Sequence, residues 1–177
     1  MDWSLLVASF IHDLALAAYV GGAIAMEFIL APAQASIPPA QAQIMGEKSS
    51  GRFLILVWVS LILILLTGIY RLYWRGLLFG ESFLVAPLTW DYSYGRTLLV
   101  MTVFWCILMI NGALITFVFR PILSGKMQAG SSSSQGREAM DAKMKAATWV
   151  QNLTRVDVGL AVATLLLGAS LSRGGLL

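Results

Sequence analysis

Charge is what this sequence has least of. Of its 177 residues only 12% are charged and 58% are hydrophobic, whereas a soluble domain carries about 25% charged residues. An ordinary water-soluble fold is thereby excluded. Cysteine is nearly absent as well. Cys106 stands alone in an apolar run, which excludes a disulfide framework and a paired-thiolate metal site. Histidine also occurs once, as His12, so the chain cannot hold two bis-histidine haems. No zinc-ligand spacing, Ser/His/Asp set or glycine-rich phosphate loop is present. The net charge of +3 is too small to suggest nucleic acid as a partner. None of this decides whether the chain is an enzyme.

What is present is length without charge. Trp3 to Ala31 is the first apolar run. Phe53 to Tyr70 gives 18 residues without a charge and is prolonged to Trp74 by Arg-Leu-Tyr-Trp. Thr97 to Phe119 gives 23 more, and Val156 to Ser172 is interrupted only by Asp157. A helix needs roughly 20 apolar residues to cross a bilayer core, and it satisfies its own backbone groups there. The expected fold is therefore all-α: a single transmembrane domain over residues 1–177, an integral membrane four-helix up-down bundle with spans at about 3–31, 53–74, 96–120 and 150–172. The first run lacks the basic start and short apolar core of a signal peptide, so it is expected to remain in the mature protein.

Three prolines, at 32, 38 and 39, are expected to stop the first helix. Ala40 to Arg52 has good helix formers and few strong apolar residues, which predicts a short interfacial helix in loop 1. The small-residue pairs Ala18/Gly22 and Gly159/Ala163 read as helix-packing positions. Basic residues orient the bundle. Lys48, Arg52, Arg120, Lys126, Arg137, Lys143, Lys145 and Arg155 lie on or beside the first and third loops, against Arg71, Arg75, Arg96 and Arg173 opposite. That bias predicts cytoplasmic first and third loops and both termini outside, in a multi-pass protein of a bacterial inner membrane. The second loop is rich in Leu, Phe, Trp and Tyr. It is expected to lie in the lipid interface or to meet other membrane subunits through Phe83, Leu84 and Trp90.

Ionisable residues inside a span are functional candidates by default, because lipid penalises an unpaired charge. Glu27 and Asp157 read as solvated or paired helix ends. His12 is harder to set aside, standing nine residues beyond Trp3, or ~13 Å along a helix. Met101, entering from the same side on the third span, comes to nearly that depth, as do Thr67 and Gly68 on the second. His12 and Met101 are thus the candidate metal ligands, for copper or the iron of haem b. Gly68 would leave room for a flat cofactor, and Arg71, Arg75 and Arg96 would stand above it as cations for propionates. Asp13 points about 100° from His12 on a helix, so it is expected to serve a neighbouring helix instead. A hydrogen-bonded core role for His12 stays open beside these readings, as does a core-filling role for Met101.

HDLALAAYVGG, GRFLILVWVSLILILLTGIYRL and YGRTLLVM together resemble the transmembrane domain of CopD-type copper-resistance proteins. They also resemble the related four-helix HemJ type, a protoporphyrinogen oxidase. The likeness rests on His12, Tyr19 and Gly21, then Arg52, Phe53, Thr67 and Gly68, then Gly95 and Arg96, and covers roughly residues 8 to 120. It implies copper handling or redox chemistry centred on His12. These families place a lysine one or two turns after the Gly-Arg pair, and the HemJ type associates it with haem; Met101 stands in that place here. The alternative function is a non-catalytic accessory subunit, without any cofactor, within a larger membrane complex of respiratory or photosynthetic type.

Overall fold

A computed structural model describes residues 2–74, 93–123, 133–171 and 173–177. The aromatic second loop, with Arg75, Phe83, Leu84 and Trp90, lies outside the described residues. In chain order the elements are α1 (Trp3–Ile24), a π-helical stretch (Ala25–Leu30), α2 (Ala31–Ala35), α3 (Pro39–Trp74), α4 (Ser93–Ala113), a second π-helical stretch (Leu114–Phe119), α5 (Arg120–Leu123) and α6 (Ser133–Leu171). Consecutive pieces merge into four membrane-length helices: Trp3–Ala35, Ala40–Trp74, Ser93–Leu123 and Met140–Leu171. The described residues thus form an all-α, four-helix membrane bundle. α1 packs on α3 and α6, and α4 packs on α6 and α3, so the first and third spans are diagonal.

Asp2 starts α1 by accepting from the backbone N–H and the hydroxyl of Ser4, a side-chain cap. The expected stop at Pro32 does not occur, and the reason is local. Proline has no N–H to donate and crowds the preceding turn. In the first span the wide i→i+5 stretch ends just before it, with Ala31 donating to the carbonyl of Met26. The third span repeats the device before Pro121, with Arg120 donating to Ile115. A π-bulge widens the turn and lets the helix carry a proline through. The chain turns only at Ser36–Pro38. Residues 40–52, expected as a separate interfacial helix, are helical but run without a break into the second span.

The core is one apolar cluster at mid-height: Leu16, Tyr19 and Val20 from α1, Val57 and Leu61 from α3, Leu108 from α4 and Ala161 from α6. Leu61 and Ala161 are wholly buried. Gly22 earns its place here, since a Cβ on it would meet the Leu56 and Phe53 side chains of α3 at 2.9 and 3.0 Å. Gly159 does not, because nothing lies within 4 Å of its missing Cβ. Most large exposed side chains are Leu, Ile, Val, Phe and Trp, which is the outward face a bilayer solvates.

Candidate functional site

His12 faces α3. Its Nδ1 lies 2.8 Å from the Thr67 hydroxyl. The Thr67 hydroxyl also bonds back to the carbonyl of Leu63 on its own helix. A carbonyl only accepts, so the single hydroxyl proton goes to Leu63. Thr67 must then accept from His12, which fixes the proton on Nδ1. Nε2 keeps its lone pair. This assignment follows from the bonding network, and it is the arrangement by which a second partner orients a metal-binding imidazole.

Gly68 is next to this bond, and a Cβ there would stand 3.6 Å from Cε1 of His12. The space expected above Gly68 for a flat cofactor is therefore taken by the imidazole itself. A shallow groove of about 560 Å³ adjoins Thr67 between α1 and α3, lined by Trp3, Val7, Ala8, Ile11, Leu66 and Tyr70 besides Ser4. Its wall among the described residues is mostly apolar, and Arg71 stands beside Asp13 on the same seam. At Gly68 itself, then, no gap is left for a flat cofactor.

Asp13 turns away from His12, as the helix period requires, and faces Arg71 of α3 at 4.0 Å. Its side chain is 76% exposed. The structure brings His12, Asp13, Thr67, Gly68 and Arg71 together on the α1–α3 seam. Met101 goes elsewhere: its terminal methyl lies against Gly168 of α6, 3.5 Å from where a Cβ would be. Arg96 is half-buried near the start of α4. Among the described residues no three His, Cys, Asp or Glu side chains gather into a metal cage.

A second polar centre lies deeper. Asp157 is no solvated helix end; it is 7% exposed and accepts from Nδ2 of Asn111 at 2.7 Å, and Asn111 is equally buried. Glu27 is paired, accepting from Nε of Arg155 at 2.7 Å. Sequence reasoning passed over Asn111. The available signal was an amide alone in an otherwise apolar span, where hydrogen bonding across helices is its usual employment.

A family model described as copper resistance protein D matches residues 47–171. No curated protein and no solved structure matches the chain.

Proposed function

Because the chain belongs to the copper resistance protein D family, we propose that it is a copper-handling membrane protein that takes the ion as cargo on Nε2 of His12. The observation that carries this reading is the Thr67 bond, which holds the imidazole in the tautomer a metal needs. Imidazole suits copper. One imidazole without a surrounding cage favours brief occupancy over storage, as a transferred ion requires. Asp13, exposed on the next position of the same helix, adds negative charge near the seam to attract a cation, and Arg71 limits how tightly that carboxylate can hold one. Met101, opposite on the third span, is the candidate for a second, soft ligand once the ion moves inward. The bias of the basic residues supports an outward-facing His12 in a plasma membrane.

Copper content of the purified full chain tests the proposal. In an equilibrium titration wild type should bind one copper per chain, and His12→Ala should lose that binding while keeping its helical circular dichroism. A preparation carrying haem, or equal copper in both proteins, would refute it.

A further inference from the structure

The bundle has a cavity that the copper reading does not use. It measures about 130 Å³, room for several waters. Its wall includes Asp157, Tyr19, Ser50, Thr154 and Arg120. Asp157 and Tyr19 lie near the midpoints of their spans, Met140–Leu171 and Trp3–Ala35. Ser50, Leu123 and Val150 on the wall lie toward the end that carries the first and third loops. The cavity thus leads from that end to the middle of the bundle. Toward the other end, Leu16, Leu61 and Ala161 close the core between Asp157 and His12.

The groups facing Asp157 decide what it holds. From α4 comes the neutral amide of Asn111. From α1 comes the hydroxyl of Tyr19, from α3 that of Ser50, from α5 the exposed guanidinium of Arg120 farther along the wall. Arg155, on its own helix, is committed to Glu27. Among the described residues no cation stands within ion-pairing distance of Asp157. A bare carboxylate so placed would be strongly disfavoured. Nothing in the pair itself neutralises it, but a proton arriving through the cavity would. The neutral carboxyl then keeps the Asn111 bond through its carbonyl oxygen and directs its O–H to the cavity. Buried polar groups reached from one side of the membrane are how transport proteins hold a coupling ion.

We propose that Asp157 is a proton-binding site, loaded by water through this cavity from the loop end of the bundle and separate from the His12 site. A hydrophobic carbodiimide, which reacts with protonated carboxyls, is the probe. In the full chain reconstituted in vesicles, mass spectrometry should find the adduct on Asp157, and raising the bath pH from acid to alkaline should suppress it. Asp157→Asn, which keeps a neutral partner for Asn111, should lose the adduct and retain the fold. Thr154→Phe, narrowing the cavity, should slow the deuterium shift of the carboxyl infrared band. His12→Ala should leave all of this unchanged, so the two sites fail or stand independently. Labelling of Asp157 that ignores bath pH would overturn the proposal. So would protection by sodium at fixed pH, which would put a metal cation in the proton's place.

Discussion

The two polar centres of this bundle are built in opposite ways. His12 and Asp13 lie on a seam between two helices, half-open, with Asp13 76% exposed. Asn111 and Asp157 are each 7% exposed and join helices at mid-height. On the seam, a hydroxyl accepts from the imidazole and leaves a lone pair free for a ligand. At mid-height, an amide donates to a carboxyl, and among the described residues no cation completes the pair. Exposure and donor direction, more than residue type, separate a half-open imidazole with a free lone pair from a buried carboxyl held by an amide.

Substitutions sharpen this contrast in descending order of expected effect. Thr67→Val keeps the shape beside His12 but removes the acceptor, so the ring loses its fixed tautomer. Loss of such a partner costs about 10–100-fold in metal affinity, which a copper titration would measure. If affinity were unchanged, Thr67 would be packing alone. At mid-height, Asn111→Leu leaves the Asp157 carboxyl without its donor, a cost of about 1–3 kcal/mol. Asp157→Asn should cost far less, because an amide still pairs with an amide. Thermal unfolding in one detergent compares the two, and equal losses would erase the distinction between a neutral and a charged partner.

Packing provides a smaller and sharper pair. Gly22→Val would push into Leu56 and Phe53, and overpacking of that kind costs about 1–3 kcal/mol. Gly159→Ala meets open space and should be neutral or slightly stabilising, since alanine is the better helix former by about 1 kcal/mol. The smallest effect belongs to Asp13→Asn. Its contact with Arg71 is long and exposed, so stability should hardly move, while copper uptake should be slower than wild type at low salt and equal to it at high salt, where the attraction is screened.

Much of the bundle was legible because lipid imposes a simple rule: apolar runs of sufficient length become helices. His12 was legible for the same reason, as a polar group with no business in such a run. Its alignment with Thr67 and Gly68 followed from helical rise alone. What rise cannot give is rotation about each helix axis. Met101 packs its methyl against Gly168, and Gly68 is filled by the imidazole where a gap was expected. Asp157 looked like a helix end because its apolar run begins at Val156; the helix itself begins far earlier, at Ser133. Pro32 read as a stop, and only the backbone reveals the π-helical stretch that absorbs it, a device repeated before Pro121.

Because His12 is the only histidine in the chain, one spectroscopic measurement reaches the central claim. Electron spin echo modulation of the copper(II)-loaded full chain registers the remote nitrogen of a coordinated imidazole. A single-imidazole pattern, absent from His12→Ala and altered in Thr67→Val where the remote nitrogen loses its acceptor, is the expected result. Copper bound with no imidazole modulation would contradict the account.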